Sequence, residues 1–350
     1  MIKTFVDLTR FVAKATHTEL EARLRQLEDL GVTGISIWDH LFVAATSQTD
    51  DWRDGEVYIH PAEPLTGLAL VAGINPRLEV HTAVVNSEWI HPALVLRQFA
   101  QIGATIGGSR VTAGLGMGWN NEEFDALGLT KPKFADRSLR LRDAMRVARQ
   151  LYDTGCADFE GDYFSVRRLP LIPTPDASPR LLIAGASEVV CETAGKYADV
   201  LNLYGHPKYG LQHGKTSAQL HSVDTYRRIN MKVEDAVERM QLAESYAQEV
   251  GRGGHLTASV HVMYSLYGRS SETDELERRI CRDYAHVDHQ DLADNPYILK
   301  GEPRQIADAL QERQERFQLS ELIFRPDDSL DVPGAESDPI RFCEEVLPLL

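Results

Sequence analysis

Short apolar runs alternate with amphipathic stretches along the whole 350-residue chain. Lys3 to Leu8 reads as a short buried strand. Leu20, Leu24, Leu27 and Leu30 then recur at helical spacing, with Thr16 or Thr18 as the cap and Gly31 as the stop. Gly34 to Trp38 is a second strand, ending in Asp39-His40. Leu65 to Ile74 predicts a helix and Leu78 to Val85 a third strand. Pro92 opens a helix that runs to about Ile106. Arg110 to Leu115 is a fourth strand, which runs into Gly114-Leu115-Gly116-Met117-Gly118-Trp119.

The second half repeats the alternation. A long helix over about Arg137 to Tyr152 precedes a hairpin at Phe159 to Phe164. Pro170, Pro173, Pro175 and Pro179 hold an extended connection after it. Strands five and six are Arg180 to Ala184 and Val200 to Leu203. Strand seven is His255 to Tyr267, after a helix over about Val233 to Val250. Helices near 272–293 and 303–317 lead to strand eight, Glu321 to Arg325, and a short helix around Pro339 to Leu347 closes the chain. Two segments lack a period: 42–63, polar and long for a plain connection, and 205–232, which reads as an insertion.

Strands apolar on both faces and separated by helices predict a parallel sheet buried under helices. Eight of them predict one α/β domain over residues 1–350, a (β/α)8 barrel with insertions. An open doubly wound sheet is disfavoured, because no GxGxxG follows strand one and strands continue past six.

Composition removes some classes of function. Hydrophobic residues at 43% and charged residues at 25% are ordinary for a globular protein. A net charge of −15 argues against nucleic acid or an anionic membrane as partner. No apolar run approaches the roughly 20 residues that span a bilayer, and Met1 to Leu8 lacks a signal-peptide pattern. Four scattered cysteines fit a reduced, cytoplasmic protein. No HxH or HExxH spacing calls for a metal.

In such barrels the active site lies at the C-terminal ends of the strands. The residues placed there are Asp7, Thr9, Trp38, Asp39, His40, Asn86, His91, Met117, Trp119, Asn120, Gly185 to Ser187, Asn202, Tyr204 and Arg325. His40 beside Asp39 suits acid–base work, or else only bonds the loop beneath it. His91 before Pro92 reads as structural. The glycines before Trp119 either let a flat ligand approach the backbone or form a tight turn. Trp119 is either a wall for that ligand or core. Tyr163 either donates to a ligand or packs in its hairpin. At Ile183-Ala184-Gly185-Ala186-Ser187 a strand stops and a helix begins at once, which makes an anion site or a plain turn. No GxSxG or GxxxxGK motif supports acyl transfer or nucleotide hydrolysis.

Several segments together resemble one family. Leu27-Glu28-Asp29-Leu30-Gly31 with Trp38-Asp39-His40-Leu41 is similar to its opening unit, with the tryptophan shifted closer to the aspartate. His91-Pro92-Ala93, then Gly107-Gly108-Ser109-Arg110 running into GLGMGWNNEEF, resembles its third and fourth units. Phe159 to Phe164, Leu182 to Ser187 and Ala194 to Asp199 resemble its fifth, and Lys300-Gly301-Glu302-Pro303 its approach to strand eight. This is the bacterial luciferase-like superfamily of flavin- and deazaflavin-dependent oxidoreductases. The match covers about residues 18 to 203 and 299 to 325.

The resemblance implies a barrel that binds reduced FMN or coenzyme F420 in its mouth. It places the cofactor phosphate on Gly185, Ala186 and Ser187, assisted by Tyr163, and the strand-three end, Ala83 and Val84 to Asn86, under the ring. A non-prolyl cis peptide is frequent there in the family. It makes His40, with Asn86 and Trp119, the candidate catalytic group, and Asn120 a further cofactor contact. The implied activity is oxygenation of a small organic substrate with O2, fed by a separate flavin reductase because no NAD fingerprint is present. Hydride transfer with F420 is the alternative, and a flavin-binding protein without turnover the alternative from another class. Members commonly form homodimers. Met117 stands where some sugar-phosphate dehydrogenases of the family carry a glutamate, so their acid–base scheme is not expected here.

Overall fold

The structure, a computed structural model, describes residues 2–44, 52–53, 56–59, 61–205, 228–268, 270–283, 288–326 and 337–350. Eight parallel strands form the barrel: β1 (Lys3–Asp7), β2 (Gly34–Ile37), β3 (Glu79–Thr82), β4 (Val111–Gly116), β5 (Arg180–Ala184), β6 (Val200–Leu203), β7 (Thr257–Val262) and β8 (Leu319–Phe324). Pairing of β8 with β1, Lys3 opposite Glu321 and Phe5 opposite Ile323, closes it. The main crossover helices are α1 (His17–Asp29), α2 (Pro64–Ile74), α3 (Pro92–Ile106), α4 (Phe134–Thr154), α5 (Glu188–Tyr197), α6 (Val233–Glu249) and α7 (Pro303–Phe317). The barrel expected from the alternation is the barrel formed.

Local signals explain the helix starts. Thr16, not Thr18, caps α1: its hydroxyl accepts from Glu19 N, and the Glu19 carboxylate accepts from Thr16 N, a capping box. Pro64, Pro92 and Pro303 each open a helix at its first turn, where their missing N–H costs nothing.

Alternation along the strands divides the interior. Val6, Ile35, Val80, Ala113, Ile183, Leu201, Val260 and Leu322 pack with the helices in one continuous apolar core. The opposite face of each strand points into the lumen, which is unusually polar: Ser36, His81, Thr112, Asn202, Ser259, His261 and Glu321 are all buried. His81 stacks on Phe5 at 4.7 Å, and its Nδ1 lies 3.0 Å from Ser36 Oγ. Burial pushes the imidazole down to about 3, with Arg180 and Lys3 adding to the effect, so it is uncharged. Lys3–Glu79 and Arg180–Glu321 ion pairs close the bottom of the lumen.

Strand seven departs from expectation. One strand over His255 to Tyr267 is replaced by β7 and a second strand, Tyr264–Tyr267, which pairs in parallel with Ile298–Gly301 outside the barrel. Met263 N donates to Tyr297 O at 2.8 Å and turns the chain out. Tyr264, Leu266 and Ile298 then bury themselves with Leu276, Ile280 and Leu292 in a satellite core. The helix read over 272–293 becomes Ser271–Asp283 and His289–Ala293, with 284–287 outside the described residues. Within 42–63, read as irregular, Val43–Ala44, Trp52–Arg53 and Glu56–Ile59 pair as antiparallel strands. Most of the 205–232 insertion, residues 206–227, lies outside the described residues.

Candidate active site

Where β3 ends, the sheet is built around glycine. Val80 and His81 pair with Val111 and Thr112, and Val85 and Asn86 pair with Leu115 and Gly116. Between those pairs β3 advances one residue more than β4, which makes a bulge, a feature over-represented beside active sites. The Ala83–Val84 peptide in it is cis. Thr82 Oγ1 accepts from Gly114 N (2.9 Å) and donates to Gly114 O (3.0 Å), replacing the ladder bonds that the bulge interrupts.

A Cβ on Gly114 would overlap Thr82 O, one on Gly116 would overlap Val84 Cγ2, and one on Gly118 would overlap the Asn86 amide. Of the two readings of these glycines, the structure favours the structural one: they admit the neighbouring strand rather than a ligand. Gly114→Ala is expected to cost about 3 kcal/mol or more, since backbone must move to admit the methyl. Urea unfolding measures it, and a loss under about 0.5 kcal/mol, the scale of an ordinary surface change, would refute the close approach.

His40 follows β2 into the mouth. Its ring stands edge-on to Trp38 (centroids 5.2 Å) and Trp119 (5.3 Å). Its Nδ1 lies 2.9 Å from Glu123 Oε2 and 3.0 Å from Oε1, and Leu41 N donates to Oε1 at 2.6 Å. Glu123, 1% exposed, thus holds the ring from behind and accepts a hydrogen bond from Nδ1–H, leaving Nε2 as the reactive end. The bond that His40 makes is to a carboxylate, not to the loop beneath it. Glu123 carries no role in the strand-end reading because it sits one helical turn into Asn121–Ala126. Its presence in GLGMGWNNEEF is the only signal.

Asp39 does a different job. Its N–H donates to Val84 O (3.2 Å), and its Oδ2 accepts from Asn86 N (2.9 Å). It ties the β2 end to the bulge. Burial pushes the carboxyl up to about 6, with Asn86 N–H pulling it back. A carboxyl raised in the folded state binds its proton more tightly there than in the unfolded chain. Stability from this group therefore falls as pH climbs from about 4 to about 6 and stays lost above. Asp39→Asn keeps an acceptor for Asn86 N. It is expected to be about 2 kcal/mol more stable than wild type at pH 7.5, with the gain gone below pH 4. A pH-independent difference in urea midpoints would rule out the shift.

The β4 loop is gripped by cations. Arg137 Nη1 donates to Met117 O (3.0 Å) and to Gly118 O, and Lys131 Nζ donates to Trp119 O (2.5 Å) and Asn121 Oδ1 (2.5 Å). Trp119 is therefore half-buried loop, fixed through its carbonyl, and not core. Asn120 Oδ1 accepts from Glu122 N and Asn86 Oδ1 accepts from Glu88 N, so both amides shape the loops that carry them. His91 caps α3, Nδ1 accepting from Ala93 N at 3.3 Å, and rests against Phe164; it is structural, as read.

The other side of the mouth is also furnished. Arg325, after β8, pairs with Asp7 (3.3 Å) and lies over Trp38 at 5.4 Å. Tyr204 meets His261 edge-on at 5.4 Å. Burial first, then the Arg325 and Arg228 charges, holds His261 well below the ordinary histidine range.

Gly185 (φ 144°), Ala186 and Ser187 join β5 to α5. Ser187 is the N-cap, yet its hydroxyl makes no capping bond, and Oγ is buried without a partner among the described residues. The first N–H groups of a helix also lack intrahelical acceptors. A hydroxyl withheld from its own helix, beside those N–H groups, fits the phosphate of a cofactor. The Tyr163 hydroxyl donates to Asp136 Oδ1 at 3.2 Å, and Arg140 lies 5.9 Å from its ring. To assist a phosphate it would have to leave Asp136.

The described residues thus form a closed (β/α)8 barrel with a histidine–carboxylate pair at its mouth and a strand-five loop that fits an anion. The chain belongs to the luciferase-like monooxygenase family, whose sequence model matches residues 4–218. Among curated proteins it is similar to the pyrimidine monooxygenase RutA of Enterobacter cloacae subsp. cloacae, 32% identical over 152 residues, 43% of this chain and 41% of that one. The RutA of Klebsiella pneumoniae subsp. pneumoniae is 27% identical over 241 residues, 68% of this chain and 58% of that one. The chain thus covers well under two thirds of these relatives' own length. Among solved structures, monooxygenase RslO1 from Streptomyces bottropensis superposes with a TM-score of 0.66 at 18% identity, over 99% of each chain. An F420-dependent secondary alcohol dehydrogenase in complex with an F420–acetone adduct does so with 0.67 at 16%, over 100% of this chain and 99% of that one. At such identities these likenesses speak for the fold alone. No helix among the described residues is long and apolar enough to cross a membrane.

Proposed function

We propose that the chain is a reduced-FMN-dependent monooxygenase acting on a small organic substrate, with its cofactor phosphate on Gly185, Ala186 and Ser187. The buried Ser187 hydroxyl at the α5 N-terminus, unpartnered among the described residues, carries this reading. When bound, reduced flavin supplies the electrons for O2 activation, and a separate reductase renews it. His40 Nε2, with Nδ1 committed to Glu123, takes or returns a proton at the ligand facing it. Trp38 and Trp119 stand edge-on to the imidazole and hold it in place. The Asp39 bond to Asn86 N fixes the bulge on which the cofactor ring would rest.

One observation favours hydride transfer with F420 as the second reading. The His40–Glu123 pair is the arrangement of a general acid or base, which a hydride transfer to a carbonyl or from an alcohol requires. The two separate with isotopic oxygen. With FMN, NADH and a flavin reductase, the first reading expects label from 18O2 in the product. Turnover with F420 under nitrogen, and no label with FMN, would select the second.

Ser187→Ala is expected to weaken cofactor binding by about 1–3 kcal/mol, the loss of a charge-assisted hydrogen bond. An unchanged dissociation constant would remove Ser187 from the phosphate site.

A further inference from the structure

Two lumen side chains on the β6–β7 side remain without an assigned task. Asn202 and His261 are 0% and 3% exposed. Asn202 Nδ2 donates to Ser259 Oγ at 2.8 Å, yet its Oδ1 has no partner among the described residues, and neither has His261 Nδ1. A buried carbonyl or imidazole nitrogen left unpaired costs on the order of 1–3 kcal/mol, so such atoms call for a ligand or water.

Their place in the barrel gives them a direction. Asn202 pairs in register with Ala184, the last residue of β5, and with Ser259. It therefore lies at the level of the mouth. His261 is the next inward residue along β7 and touches Tyr204, which leaves β6 at the rim. Going round the closed sheet, β6 is four strands from β2. Asn202 and His261 thus face His40 across the mouth. That wall is polar, and two cations border it: Arg325, paired with Asp7 at 3.3 Å, and Arg228, which lies over the Tyr204 ring at 5.1 Å.

Resting on the monooxygenase or hydride-transfer reading of the mouth, we propose that Asn202 and His261 are specificity-determining residues for a substrate bearing an amide-type N–H next to a carbonyl, such as a lactam or cyclic imide. Asn202 Oδ1 accepts the N–H, and His261, in the tautomer with Nδ1–H, donates to the carbonyl. Burial first, and then the Arg325 and Arg228 charges, oppose protonation of His261, so it offers that donor uncharged.

The test compares glutarimide with N-methylglutarimide by calorimetry, on the protein alone and with FMN, and then on Asn202→Leu. The imide is expected to bind at least ten times more tightly than its N-methyl form, and Asn202→Leu to bring that ratio close to one. His261→Phe, with its shape kept, should weaken the imide by a similar factor without restoring the ratio. Equal binding of the two compounds, no binding of either up to about 10 mM, the weak end expected of a fragment, or a ratio that survives in Asn202→Leu would each overturn the proposal. Because these are binding measurements, they stand apart from turnover: imide discrimination in a protein that binds no FMN would keep the subsite and reject the flavin reading.

Discussion

His40→Ala is expected to lower turnover by about 10²–10⁴-fold, the range for a lost general acid or base, while the cofactor dissociation constant stays within about twofold of wild type. The asymmetry follows from the geometry. The anion-ready atoms are those of Gly185, Ala186 and Ser187 at the β5–α5 junction, whereas His40 sits after β2 between two tryptophan edges. Its removal takes away a proton carrier and leaves the phosphate site intact. Single-turnover kinetics separates the two. A variant that keeps wild-type turnover would make His40 a packing residue; one that loses cofactor affinity in step with rate would make it a binding residue.

The second large effect belongs to Glu123. Its carboxylate accepts from Leu41 N and faces His40 Nδ1 in a site with 1% exposure. Glu123→Ala strands both groups and is expected to cost about 2–3 kcal/mol of stability. Glu123→Gln is the more telling variant. Its Oε1 can still accept from Leu41 N, but its amide nitrogen is a donor and demands the lone pair of His40 Nδ1. The proton then moves to Nε2, and the reactive end of the ring becomes a donor instead of an acceptor. The fold should survive while the pH–rate profile changes shape and turnover falls by at least about tenfold, the lower reach of a general-base effect. A wild-type profile in Glu123→Gln would dismiss the orienting role.

The barrel was legible because each strand–helix unit announces itself locally. Leu20, Leu24 and Leu27 mark the inner face of α1, and Pro64, Pro92 and Pro303 mark helix starts within a residue. Strand seven was misread because β7 and Tyr264–Tyr267 are both apolar and adjacent. What separates them is a bond from Met263 to Tyr297, far along the chain. The candidate site divides the same way. Strand-end position finds His40, Trp119 and Ser187, each next to its own strand. Glu123, Asn202 Oδ1 and His261 Nδ1 matter through partners on other elements, or through the lack of one among the described residues, and alternation alone cannot show this. The glycines of Gly114 to Gly118 were visible as a cluster, but what they admit, the Thr82–Asn86 bulge, depends on a register slip between two strands.

The central claim is that the mouth of this barrel holds a flavin or deazaflavin by its phosphate at Ser187. Fluorescence titration of the wild-type protein and Ser187→Ala with FMN and with F420 tests it directly. Micromolar or tighter binding of at least one cofactor, weakened by about fivefold or more in Ser187→Ala, is the result the geometry requires. Failure of both cofactors to bind at micromolar concentration, or equal affinity in the two proteins, would contradict it.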